Sequence, residues 1–180
     1  MTRRLGPFML ILALAALPVL LMSCGKSLSE RMAEKVTEKI VEKVAESEGE
    51  DIDIDISGDS VSITSDSGET VTMGGTKLPD GWPKSVPFNK DLEVLYSGST
   101  KAGGVSTWTV NGTYDGGAEE LYDYYKSELA GWEQTADSAM TSDEGEFYTL
   151  QMTDGTYEMS LIITGDANET AAVVTVSETE

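Results

Sequence analysis

The chain has no histidine and a single cysteine, and these two absences remove most of the familiar chemistry of enzymes and metal sites. Ser-His-Asp and Cys-His catalysis need histidine, and the usual zinc sites need histidine or several cysteines. One cysteine cannot form an internal disulfide, so the fold must be stabilised by packing. No recognisable catalytic or cofactor motif occurs elsewhere, and we predict a protein that is not an enzyme and holds no cofactor.

Basic residues are also scarce, with 12 lysines and arginines against 32 acids and a formal net charge of −20. Between residues 102 and 180 the sequence has one lysine, Lys126, against 16 acids. Such a surface repels nucleic acids and anionic lipid headgroups. We therefore exclude nucleic acid as a partner. The acidity suits solubility in an extracytoplasmic or salty medium, and it would also attract divalent cations or a basic partner.

The first 23 residues have the pattern of a secretory signal peptide. Two arginines precede an almost wholly apolar run, residues 8–21, which is shorter than the ~20 apolar residues of a transmembrane helix. The run ends in the tetrapeptide LMSC, residues 21–24, which resembles the bacterial lipobox. In lipobox proteins the cysteine is lipidated and the preceding peptide is cut. We expect a lipoprotein signal peptide over residues 1–23 and lipid attachment, including palmitate, at Cys24.

Residues 24–47 are predicted to carry the lipid anchor and an amphipathic helix. A four-residue repeat, with glutamate and a basic residue in each unit, runs through this segment. Every fourth residue of a helix returns to nearly the same face. The repeat therefore gives one apolar stripe, formed by Leu28, Met32, Val36, Ile40 and Val44.

The pattern changes to strict alternation over residues 48–74, which predicts a three-stranded β-meander with one apolar face. Ile52, Ile54 and Ile56 alternate with aspartates at the start of the meander. A helix with an apolar stripe needs an apolar surface to cover, and the meander offers one. We expect the amphipathic helix to cover that face.

Residues 75–90 are proline-rich and are predicted to form a linker that Trp82 and Phe88 fix to a core. Residues 91–180 have the pattern of one domain with the order β-β-α-β-β-β and a possible extra strand at residues 132–135. The predicted fold class of the whole chain is therefore α+β: an N-terminal helix with a small β-meander, then an antiparallel sheet with one packed helix.

Two local signals define the helix and a hairpin of this domain. The helix is predicted over residues 117–130, with Asp115 as its cap and Gly131 as a left-handed stop. The dipeptide Asp154-Gly155 predicts the turn of a β-hairpin.

The motifs of residues 84–87, 117–125 and 129–132 together resemble a group of uncharacterised bacterial lipoproteins. These motifs are a "P-x-x-V-P" segment and a "Tyr-Tyr…Leu…Gly-Trp" helix end, followed by a tail of strands. The four-residue-repeat helix followed by the Asp-Ile meander also resembles the N-terminal part of this group, so the resemblance covers most of the chain after the signal peptide. It implies the fold and the membrane location and brings no activity with it.

Three aspartates of the first predicted strand are candidate metal ligands. Asp51, Asp53 and Asp55 are spaced by two residues, so they project from one face at intervals of ~6.6 Å. The segment superficially resembles a Ca²⁺-binding EF-hand loop, but Ile56 stands where glycine is required and Ser62 where glutamate is required. A solvated strand face is the favoured interpretation.

Two further candidates rest on residue type alone. Trp82, Trp108 and Trp132, with the tyrosines of the helix, suggest either a core or a stacking platform for sugar or peptidoglycan, and aromatic residues at helical spacing favour the core. Glu119 with a strand aspartate is the candidate carboxylate pair of a hydrolase, although no spacing selects a particular aspartate.

These observations predict a lipid-anchored extracytoplasmic protein that binds or scaffolds other components of the cell envelope. The anchor would place it at the bacterial outer membrane or at the outer face of the cytoplasmic membrane. Its expected partners are the membrane, through lipidated Cys24, and an envelope protein. A Ca²⁺-binding surface protein is the alternative, and a carboxylate-based envelope hydrolase is the second alternative.

Overall fold

The computed structural model describes residues 52–57, 60–65, 67–143, 145–166 and 169–179. Cys24, Asp51 and the predicted N-terminal helix lie outside these residues. The described chain is mostly β, with nine strands and one short helix. The elements are β1 Ile52–Ser57, β2 Ser60–Ser65, β3 Thr70–Gly74, β4 Leu92–Ala102, β5 Val105–Tyr114, α1 Ala118–Glu128, β6 Glu133–Ser142, β7 Gly145–Thr153, β8 Tyr157–Gly165 and β9 Thr170–Glu178.

All nine strands belong to one antiparallel sheet in the order β1-β2-β3-β4-β5-β9-β8-β7-β6. The predicted meander is present as β1 to β3, and its last strand pairs with β4, so the meander continues into the following strands. The possible extra strand after the helix is also present. It is β6, which spans ten residues and pairs with β7 at the edge of the sheet.

The sheet changes its apolar side between its two halves. Paired residues of neighbouring strands project from the same face, so one row of partners can be followed across the whole sheet. On the side of α1 this row is Asp55, Ser62, Thr72, Ser99, Trp108, Val176, Met159 and Met152. The row is polar in β1 to β4 and apolar from β5 onwards.

The adjacent row, which faces away from α1, has the opposite pattern. It consists of Ile56, Val61, Met73, Gly98, Thr109, Thr175, Ser160 and Gln151. Ile63 and Val71 share this side of the meander and are only 8% and 5% exposed, whereas Ile56 is 62% exposed. The sheet therefore has apolar surface on both sides, in different halves.

The main core lies between α1 and the strands β5, β7, β8 and β9. Leu121 and Tyr125 of the helix are fully buried and share one core cluster with Leu161 and Val174 of the sheet. Burying one such side chain contributes about 1.5–3 kcal/mol relative to leaving it exposed. The apolar spacing of α1 is therefore what holds the helix on the sheet.

The ends of α1 differ from the prediction. Gly117, not Asp115, is the N-cap, and it makes no side-chain hydrogen bond. Leu129 is the C-cap; its N–H donates to the carbonyl oxygen of Tyr125 at 3.0 Å, and the N–H of Ala130 donates to that of Ser127 at 3.3 Å. Gly131 is not among the glycines with positive φ, so it is not the left-handed stop. Trp132 does fold back as expected, because its N–H donates to the carbonyl oxygen of Leu129 at 2.8 Å.

The hairpin between β7 and β8 forms as predicted around Asp154 and Gly155. Gly155 has φ +84°, a backbone conformation that residues other than glycine rarely adopt. The Asp154 side chain accepts hydrogen bonds from the N–H groups of Thr156 and Tyr157 at 2.8 and 2.7 Å. This carboxylate therefore fixes the turn.

The proline-rich segment 75–90 lies against the core. The indole N–H of Trp82 donates to the carbonyl oxygen of Val86 at 3.2 Å, and the Trp82 ring meets Phe88 edge-on at 5.8 Å. Val86 is buried. Trp82 and Phe88 both pack on the core, so the prediction that they fix this segment is confirmed.

Candidate functional site

Two of the three candidate metal ligands lie among the described residues, and neither belongs to a cluster. Asp53 and Asp55 are exposed on β1, opposite Thr64 and Ser62 of β2. Asp51 lies outside the described residues. Within the part of the chain that the structure describes, no group of three acidic or cysteine side chains is placed to hold a metal ion.

The three tryptophans belong to the core and do not form an exposed platform. Trp108 is 7% exposed, and its indole N–H donates to the carbonyl oxygen of Asp80 at 3.2 Å. Trp82 and Trp132 are half-buried and pack against the same core. Their buried faces leave no row of open rings for a sugar to stack on.

Glu119 of α1 and Glu146 of β7 both lie close enough to Tyr148 of β7 to influence its charge, and the pairing of Glu119 with a strand aspartate stays a prediction. Both carboxylates act on the hydroxyl of Tyr148, which donates to Glu146 Oε1 at 3.4 Å. Burial first, and then the two carboxylates, raise the pKa of Tyr148. The phenol therefore stays neutral at physiological pH, and it is the group that the two glutamates share.

A polar cluster joins the edge strand β6 to α1. Lys126 Nζ lies 2.8 Å from Asp137 Oδ2 and donates to the Tyr122 hydroxyl at 3.1 Å. That hydroxyl in turn donates to Asp137 Oδ1. Asp137 pairs with Leu150 of β7, so it ends an apolar row of the core. The single cation of residues 102–180 is thus used to fix the edge strand.

Within the cluster, Lys126 and Asp137 stabilise each other's charged forms. Hydrogen bonds from Lys126 and then from Tyr122 hold the pKa of Asp137 below its usual range. The bond to Asp137 raises the pKa of Lys126. Both groups are charged at neutral pH and neutralise each other, so the cluster is structural and offers no free acid or base.

A pocket of about 330 Å³ lies where the segment before β4 meets the end of β5 and the start of α1. Three segments line it with aromatic, carboxylate and amide groups. The lining residues are Phe88, Asn89, Lys90, Asp91, Tyr114, Glu120 and Tyr124. Glu120 and Tyr124 are four residues apart on α1, so they share one face of the helix.

The wall formed by residues 89–91 is rigid. Asn89 is buried, and its side-chain oxygen accepts the N–H of Asp91 at 2.9 Å. Its carbonyl oxygen accepts the N–H of Leu92 at 3.1 Å, and its own N–H donates to the Tyr125 hydroxyl at 3.4 Å. These bonds connect the turn to the core face of α1 and set the position of Asp91.

Gly116 makes room for the opposite wall. A Cβ at this position would overlap the ring of Tyr114 and would lie 3.0 Å from Glu120 Oε2. Tyr114 Cζ and Glu120 Oε2 would lie 2.8 and 3.0 Å from that Cβ, so the phenol and the carboxylate are neighbours. Because glycine has no Cβ, the Tyr114 ring can pack against the backbone at position 116, with Glu120 beside it at the pocket.

Carboxylates dominate the electrostatics of the pocket. Burial and then Glu120 and Asp91 raise the pKa of Tyr114. Burial and then Glu128 and Asp91 raise the pKa of Tyr124. Both phenols therefore remain neutral hydrogen-bond donors. The negative field that disfavours a phenolate would favour a positively charged group in the same place.

Sequence reasoning did not find this pocket. Its residues come from three segments with no common spacing. The sequence predicts that Phe88 packs on a core, and it leaves the helix tyrosines as core residues or as part of a stacking platform. The one usable signal was the acidic start of α1, Glu119-Glu120, followed four residues later by Tyr124.

Comparisons with protein-family models, with curated proteins and with solved structures found no match to this chain. None of the helices among the described residues is long and apolar enough to cross a membrane.

Proposed function

We propose that this chain is a lipid-anchored extracytoplasmic protein that acts by binding or scaffolding in a bacterial cell envelope. The observation that carries the proposal is the tetrapeptide LMSC at residues 21–24, placed directly after a basic start and an apolar run. A lone exported thiol would otherwise be an unexplained reactive group. Two or more acyl chains at Cys24 would anchor the protein stably, at ~0.8 kcal/mol per buried CH₂.

The described domain supports binding or scaffolding over catalysis. Its polar cluster at Asp137 is internally neutralised, and Glu119 and Glu146 converge on a tyrosine hydroxyl. Its pocket is open at the surface and is built from neutral phenols and carboxylates. These features suit reversible contacts with another molecule more than they suit a reaction.

The proposal also includes the predicted N-terminal amphipathic helix and the surface that it covers. The apolar side of β1 to β3 faces away from α1, so α1 cannot cover it. The stripe of residues 28–44 has the right chemistry for that surface, and it immediately precedes the meander in sequence. We therefore propose that the amphipathic helix predicted over residues 24–47, which lies outside the described residues, covers this surface.

Paired variants test this placement. Val36→Asp introduces a charge into the stripe, whereas Thr37→Asp introduces the same charge beside it. We expect Val36→Asp, and not Thr37→Asp, to shift the methyl NMR signals of Ile63 and Val71 in the full chain. Equal, small effects of the two variants would contradict the placement.

The anchor is tested by a matched pair of variants in a bacterial host. Cys24→Ser removes the acceptor thiol, whereas Ser23→Ala keeps a small residue before an intact cysteine. We expect Ser23→Ala to remain in the membrane fraction and to incorporate an alkyne-labelled palmitate, and Cys24→Ser to lose both properties. Unchanged fractionation and labelling of Cys24→Ser would show that the assigned anchor is wrong.

Binding or scaffolding is tested by in-cell crosslinking followed by purification of the full chain. We expect one stoichiometric envelope protein with the wild type and its loss with Cys24→Ser, because the anchor sets the local concentration of both partners. The absence of any partner in both samples would contradict the scaffold role.

A further inference from the structure

We propose that the pocket between residues 88–91, Tyr114 and α1 is a binding site for a primary alkylammonium group, such as a lysine side chain or an amine-bearing ligand. This inference rests on the proposed function, because it names the ligand class of a protein that acts by binding. The carrying observation is that two carboxylates and three aromatic side chains line one cavity.

Among the described residues, neither carboxylate of the pocket forms an ion pair. Glu120 lies beside the Tyr114 ring, and the turn at Asn89 sets the backbone of Asp91. Among the described residues the ion pair that forms within 4 Å is Lys126–Asp137, which lies elsewhere. The carboxylates of the pocket therefore have acceptor capacity for the N–H groups of an ammonium ion.

The aromatic side chains match the rest of such a ligand. Phe88, Tyr114 and Tyr124 provide apolar walls for a short alkyl stem. A cation close to a tyrosine or phenylalanine ring also gains an electrostatic attraction to its negative face. The pocket volume of about 330 Å³ is at the lower end of the ~300–1,000 Å³ of small-molecule sites.

The negative charge of the protein disfavours an anionic ligand in this pocket. The chain carries a formal net charge of −20, and Glu128 adds to the field at Tyr124. An anion would have to enter against this field, whereas a cation is concentrated by it. Lys90 is the one basic side chain that lines the pocket. It is exposed, so its ammonium group is the internal competitor for the same carboxylates.

The test is a titration of the full chain in detergent micelles with n-butylammonium, at constant ionic strength, followed by the NMR signals of the tyrosine rings. The neutral isostere 1-butanol is the ligand control. We expect n-butylammonium to shift the signals of Tyr114 and Tyr124 saturably in the millimolar range, and 1-butanol to shift them weakly. Equal shifts by the two probes, or no saturable shift, would overturn the inference.

Three variants separate charge from folding. Glu120→Gln removes a carboxylate of the pocket and should weaken n-butylammonium binding roughly fivefold. Glu119→Gln removes the adjacent helix carboxylate outside the pocket and should change the affinity less than about twofold. Lys90→Met removes the competitor and should strengthen binding. Equal effects of Glu119→Gln and Glu120→Gln, or weaker binding by Lys90→Met, would contradict the site.

The pocket and the anchor can fail independently. Cys24→Ser should bind n-butylammonium as the wild type does, because the pocket is built from residues 88–124 alone. A chain that binds the probe but does not label with palmitate would retain the pocket and refute the anchor. A chain that incorporates palmitate but does not bind n-butylammonium would support the anchor and refute the pocket.

Discussion

Gly112 provides a sharp test of the strand packing, because a side chain there would strike the backbone of the neighbouring strand. It lies in β5 opposite Val94, beside the irregularity of β4 between Val94 and Tyr96. A Cβ at Gly112 would lie 2.5 Å from the carbonyl oxygen of Glu93 and 3.0 Å from Leu92 Cγ. Carbon–oxygen contacts across a sheet are usually ~3.3–3.6 Å. Gly112→Ala therefore requires β4 and β5 to separate by about 1 Å.

The expected cost follows from this displacement. Overpacking that moves backbone costs about 1–3 kcal/mol. Replacing glycine by alanine restores up to ~1 kcal/mol by reducing the entropy of the unfolded chain. We expect Gly112→Ala to lower the free energy of unfolding by a net ~1–2 kcal/mol. Urea unfolding followed by tryptophan fluorescence measures this value, since Trp108 is buried on β5, the central strand of the sheet.

Gly131→Ala is the matched control. A Cβ there meets nothing within 4 Å, and Gly131 does not have a positive φ. Its free energy of unfolding should stay within about 0.5 kcal/mol of the wild type. Gly98→Ala is a second positive case, because its Cβ would lie 2.8 Å from the carbonyl oxygen of Thr72. Equal stability of Gly112→Ala and Gly131→Ala would refute the steric reasoning and the register of β4 at its bulge.

Three further changes test the helix and its contact with β6, each by urea unfolding. Leu121→Ala should cost about 2–5 kcal/mol, because Leu121 is fully buried between α1 and the sheet; a smaller loss would mean a looser core. Gly117→Ser should stabilise the chain by a few tenths of a kcal/mol, because it adds the missing cap hydrogen bond; no gain would contradict this N-cap. The pKa of Asp137 is lowered mainly by Lys126. Its contribution to stability is therefore present above about pH 4 and is lost as the pH falls through its folded-state pKa, and Asp137→Asn should remove this pH dependence.

The elements with a clear period were predictable from sequence. The alternation of residues 52–56 and the Asp154-Gly155 turn gave their strands and hairpin, and the spacing of Leu121 and Tyr125 gave the helix. In each case the signal is local, because one buried face or one turn residue decides the structure. The pairing of β3 with β4 is different. It joins residues on either side of the proline-rich segment, and no local pattern reports a contact of that range.

The edge strand β6 shows a second limit. All ten of its residues are exposed, so its side chains do not alternate between apolar and polar. Its backbone pairs with β7, and the hydrogen bonds of that pairing do not depend on side-chain type. The sequence therefore indicated only a possible short strand at residues 132–135. The helix ends were misassigned for a related reason, since Asp115 and Gly131 are suitable residue types two positions away from the caps that form.

The candidate pocket was out of reach of sequence reasoning because each of its side chains has an ordinary structural interpretation. Phe88 and Tyr124 are plausible core residues, and Glu120 is a normal residue for the first turn of a helix. These side chains form a candidate binding site only because the fold brings Asp91 beside them. A single sequence does not show that proximity. In the structure it follows from the hydrogen bonds that fix the turn at Asn89.

The change of apolar side across the sheet explains why one helix is insufficient for this fold. A sheet with all its apolar residues on one side needs one covering layer. Here the row that contains Trp108 becomes polar at Ser99, and the apolar residues of the meander face the other way. α1 covers only the first surface. The apolar side of the meander is therefore a surface that α1 leaves uncovered, and covering it is the role that we propose for the stripe of residues 28–44.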